Sequence, residues 1–79
     1  MYYAYIIKSK KDNSYYYGFT EDLKSRLDSH NSGKVSYTKS HKPFELTWYG
    51  AFNDKKKALD FEKYLKSSSG HAFLKKRLV

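Results

Sequence analysis

The chain has 79 residues and no cysteine, which excludes a disulfide framework and thiolate-bound metal. Its 16 lysines and arginines outnumber 8 acidic residues, and the net charge of +8 favours a polyanionic partner such as nucleic acid, or simply solubility. A chain of this length is expected to form a single domain over residues 1–79. We expect it to be cytoplasmic, because the opening apolar run stops at Lys8 and is too short for a membrane span or a signal peptide.

The chain opens with a predicted β-hairpin. The stretch "MYYAYIIKS" is rich in aromatic and β-branched side chains, which is typical of a strand. The polar residues "KKDNS" predict a turn, and "YYYGFT" predicts a second strand, so residues 2–19 form an antiparallel pair. Side chains alternate between the faces of a strand, which puts Tyr3, Tyr5 and Ile7 on one face of the first strand.

The three consecutive tyrosines of the second strand are not equivalent. Alternation predicts that Tyr15, Tyr17 and Phe19 share one face of the sheet. Tyr16 and Gly18 then share the opposite face. A glycine at such a position leaves space for a backbone or a phosphate to approach closely.

A helix follows the hairpin. Thr20 is the expected N-cap, and the helix should end near Asn31 with Gly33 just beyond it. The helical period turns His30 toward the core side and leaves Arg26 at the edge of the apolar stripe.

The second half of the chain predicts a loop, a strand and two helices. Residues 32–43 form a polar loop, whose length indicates either function or disorder. The stretch "FELTWYGAF" predicts a third strand, and Asp54 should cap a helix over "KKKALDFEKYLK". A break at residues 67–70 precedes a short final helix, "HAFLKKRL". The expected fold is α+β, a small three-stranded antiparallel sheet flanked by helices in the order β-β-α-β-α-α.

Glu62 is anomalous in the second predicted helix. It lies inside the apolar arc formed by Ala58, Leu59, Phe61 and Leu65. A carboxylate on an inward face is costly unless it is paired or binds a cation. An ordinary alternative is an ion pair with Lys66, four residues on.

The tyrosines of the hairpin, Arg26, His30 and Glu62 together fit phosphodiester hydrolysis. A single carboxylate holds Mg²⁺ when water and phosphate oxygens complete the shell, and arginine stabilises the developing charge. A tyrosine or histidine positions or deprotonates the attacking water. Each residue also has a simpler interpretation. The tyrosines and His30 would then belong to the core, and Arg26 would pair with Asp22 on the helix surface.

Order and spacing favour the chemical interpretation. The "YAY" at residues 3–5, ten intervening residues and the "YYG" at 16–18 resemble the signature of the GIY-YIG endonuclease superfamily. Arg26, His30 and Glu62 continue the resemblance. It extends through "HNSGK", "YTKSHKPFEL" and "EKYLKSSSG" to small stand-alone bacterial members, which are similar to the nuclease domain of the excision-repair incision subunit.

The resemblance implies a small three-stranded sheet with flanking helices and cleavage of DNA with one divalent ion, Mg²⁺ or Mn²⁺. By this resemblance Glu62 binds the metal, and Tyr16 is the general base or orients the water. Tyr5 and His30 support the water or the phosphate, and Arg26 stabilises the transition state.

The chain departs from the family signature at several positions. Tyr3 replaces the leading glycine, and Ala4 and Tyr17 replace isoleucines, whereas Gly18, the packing glycine of the motif, is kept. Family members often carry a late asparagine near the site, and no asparagine follows Glu62 in this chain.

The expected function is therefore metal-dependent DNA endonuclease activity of low sequence specificity, with DNA repair as a setting. The DNA-binding lysines are expected to be Lys34, Lys39, Lys42 and Lys66. Two alternatives stay open at this point. One is a non-catalytic nucleic-acid-binding module of the same fold, and the other is a subunit that needs a protein partner, although the sequence does not indicate one.

Overall fold

Three antiparallel strands form one sheet with the first strand in the middle. A computed structural model describes residues 1–67, 70, 72, 75 and 76. Strands β1 (Tyr2–Ser9) and β2 (Tyr15–Thr20) form the predicted hairpin, and β3 (Phe44–Phe52) pairs with the other edge of β1. The strand order is therefore β2-β1-β3. The predicted fold class and the three strands are confirmed.

Strand β1 is buried on both of its faces. Its four central residues, Ala4 to Ile7, are each exposed by 2% or less. This explains why an unbroken apolar run, rather than a polar alternation, marks the strand in the sequence. The alternating side chains of β1 pack into two separate hydrophobic cores, one on each face of the sheet.

The two cores separate the tyrosines as predicted. Ala4 and Ile6 pack with Leu65 in one core, whose partly buried members are Tyr15, Tyr17, Trp48, Phe52 and Phe61. Tyr5 and Ile7 pack with Phe44 in the other core, whose partly buried members are Tyr16, Leu23, Leu27 and Leu46. Tyr16 therefore lies on the Tyr5 face of the sheet.

One helix covers each face of the sheet. Helix α1 (Leu23–Asn31) packs Leu23 and Leu27 onto the Tyr5 face. Helix α2 (Lys55–Leu65) packs Leu65 and Phe61 onto the opposite face.

The first helix begins later than predicted. The expectation that Thr20 is the N-cap was wrong, because Thr20 is still the last residue of β2. Asp22 is the N-cap, with an extended backbone and a carboxylate that accepts a hydrogen bond from the Ser25 backbone N–H at 3.1 Å. Thr20 instead accepts a hydrogen bond from the Asp22 backbone N–H at 3.1 Å. Asp54 caps α2 as predicted, accepting from the Lys56 N–H at 3.0 Å.

The polar loop over residues 32–43 is folded onto the Tyr5 face. It contains one turn of 3₁₀-helix (Lys39–His41) and buries Val35 and Thr38. The expected final helix over residues 71–78 lies largely outside the described residues. No helix within the described part of the chain has the length and apolarity needed to cross a membrane.

The side chain of Asn31 joins the end of α1 to the start of β3. Its amide donates to the Phe44 carbonyl at 3.2 Å, and its carbonyl accepts from the Phe44 N–H at 2.6 Å. The amide thereby satisfies both backbone groups of Phe44, and it fixes the helix that carries Arg26 and His30 over the sheet.

Gly18 is opposite Tyr5 in the β1–β2 register, and a methyl group at Gly18 would overlap the hydroxyl and ring of Tyr5. We therefore expect Gly18→Ala to lower the free energy of unfolding by about 1–3 kcal/mol, the usual cost of overpacking. Urea unfolding followed by circular dichroism measures the change. In a Tyr5→Val background the added methyl meets no ring, and its extra cost should largely disappear. An equal cost in both backgrounds would contradict this explanation.

Candidate active site

The hydroxyl of Tyr5 lies at the centre of a buried polar cluster between the sheet and α1. The Arg26 Nε–H donates a hydrogen bond to the Tyr5 Oη over 3.2 Å. The same oxygen is 3.0 Å from the Nε2 of His30. Tyr5 and His30 are exposed by only 2% and 1%. The structure thus brings together three of the predicted site residues, Tyr5, Arg26 and His30.

The hydrogen bonds of this cluster form a chain in which each group donates to the next, from Arg26 to the Val35 carbonyl. His30 Nδ1 is 2.8 Å from the Thr38 Oγ1, which donates to the Val35 carbonyl at 3.3 Å. Because Thr38 has a single proton and gives it to Val35, it must accept from a His30 Nδ1–H. The Nε2 of a neutral His30 then accepts from the Tyr5 hydroxyl. We therefore assign His30 to the Nδ1–H tautomer, in a chain from Arg26 to Val35.

The electrostatics of the cluster agree with this assignment. Burial, with a smaller contribution from the Arg26 charge, lowers the pKa of His30 from 6.5 to about 4. Burial raises the pKa of Tyr5 above its ordinary value of 10, although its contacts with Arg26 act in the opposite direction. The hydrogen bond to Tyr5 is the largest cause that raises the pKa of Arg26. At neutral pH the cluster therefore consists of a neutral phenol, a neutral imidazole and a guanidinium cation.

Tyr16 lies beside this cluster but outside its hydrogen-bond chain. Its ring packs edge-on against Phe44, with the centroids 5.5 Å apart, and Phe44 in turn contacts the His30 ring at 5.7 Å. Tyr37 completes this side of the site. Its ring is 6.5 Å from that of Tyr16 and 6.4 Å from that of His30, yet Tyr37 is 59% exposed.

Sequence reasoning missed the roles of Tyr37 and Thr38. Both lie in the loop, where no helical or strand period indicates the direction of a side chain. Their only signal in the sequence is the segment "YTKSHKPFEL", which belongs to the family resemblance but indicates no role for either residue.

Glu62 lies on α2, the helix that packs on the opposite face of the sheet. Its side chain is 18% exposed, and its carboxylate pairs with the Lys66 ammonium at 3.0 Å. Its negative charge is among the causes that raise the pKa of Tyr5, so it lies within electrostatic range of the phenol. The ion pair with Lys66 that the sequence allowed is present, and it places a predicted DNA-binding lysine against the predicted metal ligand.

The donor set near Glu62 fits a metal ion that is held mainly by non-protein oxygens. Within residues 1–67 and the few described positions beyond them, no group of three or more His, Asp or Glu side chains converges to form a metal cage. A single, partly exposed carboxylate has room for water and phosphate oxygens, which Mg²⁺ commonly keeps in its shell. The Lys66 side chain, 55% exposed, is the group that a cation would have to displace.

The remaining predicted residues lie outside the hydrogen-bonded cluster. The side chains of Lys39 and Lys42 both lie next to Gly33. A Cβ atom added to Gly33 would be 3.5 Å from a side-chain carbon of Lys39 and 3.4 Å from the ammonium nitrogen of Lys42. Lys34 is the next residue, and all three lysines are exposed. The surface pairing of Arg26 with Asp22 is replaced by the Arg26–Tyr5 hydrogen bond, because the Asp22 carboxylate caps the helix.

The three-stranded sheet with one helix on each face is the fold that the sequence predicts for a nuclease-type domain. The GIY-YIG catalytic domain family matches residues 1–76, and the chain therefore belongs to that family. The family predicted from the sequence is confirmed.

Within the family the chain is similar to bacterial UPF0213 proteins. It is 44% identical over 63 residues to the UPF0213 protein YazA of Bacillus subtilis, a match that covers 78% of this chain and only 63% of that protein. It is 39% identical over 74 residues to the UPF0213 protein SH2523 of Staphylococcus haemolyticus, covering 92% of this chain and 89% of that protein. The solution NMR structure of the UPF0213 protein BH0048 from Bacillus halodurans is similar with a TM-score of 0.56 and 37% identity, over 94% of this chain and 82% of that one.

The lowered pKa of His30 predicts a specific pH dependence of stability. Above pH 6.5 the imidazole is neutral in both the folded and the unfolded state, so its titration does not change the free energy of unfolding. Between pH 6.5 and about 4 only the unfolded state binds the proton. The free energy of unfolding should therefore fall by up to about 3 kcal/mol as the pH falls through this window, at about 1.4 kcal/mol per pKa unit. Urea unfolding at each pH measures this loss.

A His30→Gln variant is the control for this prediction, because glutamine has no proton to gain in the same window. Asp12, whose pKa is lowered in the folded protein, also begins to lose its contribution to stability near the acid end of the window, but this loss is the same in both proteins and cancels in the comparison. The same slope in the variant as in the unmodified protein would contradict the assignment to His30.

Proposed function

We propose that the chain is a metal-dependent endonuclease that hydrolyses DNA phosphodiester bonds with low sequence specificity, its catalytic domain spanning residues 1–79. The observation that carries this proposal is the hydrogen-bond chain from Arg26 through Tyr5 to His30, on the same sheet face as Tyr16 and within range of the Glu62 charge. Repair of structured or damaged DNA is the setting that we propose.

Arg26 is the residue that binds and stabilises the reacting phosphate. Its Nε–H is used by Tyr5, which restricts how the planar guanidinium can turn. The terminal N–H groups then donate to phosphate oxygens and stabilise the charge that develops as the phosphorus–oxygen bond breaks. Tyr5 and His30 are positioning residues in this scheme, because their hydroxyl and ring nitrogens are occupied by one another, Arg26 and Thr38.

Tyr16 acts on the attacking water. Unlike the Tyr5 hydroxyl, the Tyr16 hydroxyl takes no part in the Arg26–Val35 chain. Its ring is held in place by Phe44, so its hydroxyl meets the water in a fixed orientation.

Glu62 holds the divalent ion. When bound there, Mg²⁺ or Mn²⁺ would supply a Lewis acid that polarises the phosphate and neutralises developing charge. The carboxylate must first give up its ion pair with Lys66, whose ammonium is then available to a DNA phosphate.

The exposed lysines of the loop bind the DNA backbone. Lys34, Lys39 and Lys42 are clustered near Gly33 and contribute to the net charge of +8. Point charges of this kind attract phosphates without reading bases, which is consistent with low sequence specificity.

We expect supercoiled plasmid DNA to be nicked when Mg²⁺ or Mn²⁺ is present and to stay intact with a chelator. Glu62→Gln should lose at least about 100-fold of the nicking rate, because the amide keeps the shape of the side chain but binds a cation weakly. Tyr16→Phe should lose a comparable factor, since only the hydroxyl is removed. Gel electrophoresis of the plasmid measures both rates.

Lys66→Met is the matched control for the Glu62 variant. It breaks the same ion pair but leaves the carboxylate, so at saturating DNA it should keep most of the metal-dependent activity, and its loss of one DNA contact should appear as weaker binding. Equal nicking by Glu62→Gln and the unmodified protein would contradict the metal site. Binding of DNA without cleavage under every metal condition would favour the non-catalytic module.

The lysines predict how binding depends on salt. Each phosphate contact contributes about 0.9 to the slope of log affinity against log salt concentration for duplex DNA. The double variant Lys39→Ala, Lys42→Ala should therefore lower the slope by up to about 2, as measured by fluorescence anisotropy in chelator. Lys56→Ala, which removes a lysine paired with Asp60 on α2, should leave the slope nearly unchanged. Equal slopes for the double variant and the unmodified protein would exclude the loop from the DNA contact.

A further inference from the structure

A second histidine, His41, packs against Tyr16. The two ring centroids are 5.6 Å apart, and the Nδ1 of His41 is 2.6 Å from the Asp12 carboxylate. Asp12 is itself held by the backbone N–H of Ser14 at 3.0 Å and by the Ser14 hydroxyl at 2.6 Å. These hydrogen bonds, together with His41, keep the pKa of Asp12 well below its usual range. The carboxylate is therefore an ionised and oriented acceptor.

The backbone of His41 is fixed from two sides. The buried Ser9 hydroxyl donates to the His41 carbonyl at 2.5 Å, which joins the residue to the end of β1. The His41 N–H donates to the Thr38 carbonyl at 2.9 Å. Thr38 also receives the hydrogen bond from His30, so the two histidines are held by the same residue. His41 is thus built into the site rather than placed on a free loop.

The two histidines differ in what their nitrogens can do. Both ring nitrogens of His30 are engaged, and its side chain is buried. In His41 the Nδ1 faces Asp12, the side chain is 35% exposed, and no described residue is a hydrogen-bond partner of Nε2. An ionised carboxylate at Nδ1 requires the proton on that nitrogen, which leaves a lone pair on Nε2 in the neutral ring. His41 therefore offers an imidazole acceptor at the edge of the site.

The surroundings of His41 favour an anionic substrate. The turn over residues 9–14 and the segment over residues 37–43 contain four lysines, and Asp12 is their only acidic residue. One of these lysines, Lys11, donates to the Ser40 carbonyl at 3.1 Å and so joins the two segments. Their excess of positive charge favours the approach of a phosphodiester to this side of the site.

We propose that His41, oriented by Asp12, is the general base of the reaction. This inference rests on the proposed nuclease function and names the group that takes the proton. The water oxygen forms a bond to phosphorus while its proton passes to the Nε2 of His41, directly or through the Tyr16 hydroxyl. The bond from phosphorus to the leaving sugar oxygen breaks, and that oxygen is protonated by solvent. Asp12 fixes the tautomer and stabilises the imidazolium that results.

The test uses two His41 variants and a small external base. His41→Gln keeps the size of the side chain without a basic nitrogen, and His41→Ala leaves space that free imidazole can enter. Both should lower metal-dependent plasmid nicking by about 100-fold or more, and Asp12→Asn by about 10-fold or more. Added imidazole should restore activity to His41→Ala at least about 10-fold in a saturable manner, without accelerating His41→Gln. The Tyr16→Phe variant, which creates no space for imidazole, should not respond.

The outcomes separate this proposal from the function on which it rests. Absence of nicking by the unmodified protein with either metal would overturn the nuclease function, and the base assignment with it. Normal nicking by the unmodified protein together with undiminished nicking by both His41 variants would overturn only the base assignment. The same follows if His41→Ala is impaired, keeps a native circular dichroism spectrum and gains nothing from imidazole, because a structural role would produce that result.

Discussion

The buried hydroxyl of Tyr5 is the constraint on which the site depends. A hydroxyl that is removed from water without partners costs a few kcal/mol, so this one must be hydrogen-bonded where it lies. Arg26 and His30 satisfy it, which requires α1 to present both residues to the same strand face. Thr38 must then accept a hydrogen bond from the Nδ1 of His30, and this contact holds the loop over residues 32–43 against the sheet face. Gly18 lacks a side chain because the Tyr5 ring takes that space.

This constraint divides the polar residues of the site into two groups. Tyr5 and His30 have their polar atoms used by one another and by their neighbours, and the resulting rigidity is their contribution. Tyr16, Glu62 and His41 have more exposed side chains, and they are the groups to which we assign the chemistry in our proposal. A site that separates support from reaction in this way is pre-organised, because the supporting groups need not move when a phosphate binds.

The sequence predicted the parts of this arrangement that repeat with a regular period. Strand alternation separated Tyr16 and Gly18 from Tyr15 and Tyr17, and the helical period turned His30 inward and identified Glu62 as an anomaly. It could not predict contacts that depend on a loop path, so the partners Thr38 and His41 were missed. The N-cap was misplaced because Thr20 and Asp22 are both good capping residues, and only the length of β2 decides between them. The Lys66 pair is a four-residue contact that the sequence allowed as an alternative.

The tautomer of His30 reports the direction of the hydrogen-bond chain through Tyr5. Long-range proton–nitrogen NMR spectra of the histidine rings distinguish a protonated Nδ1 from a protonated Nε2. At neutral pH we expect His30 to carry its proton on Nδ1, because Nε2 accepts from Tyr5 and Thr38 receives the other bond. In Tyr5→Phe the Nε2 signal should shift, since its donor is removed. A proton on Nε2 in the unmodified protein, or an imidazolium at neutral pH, would contradict the account.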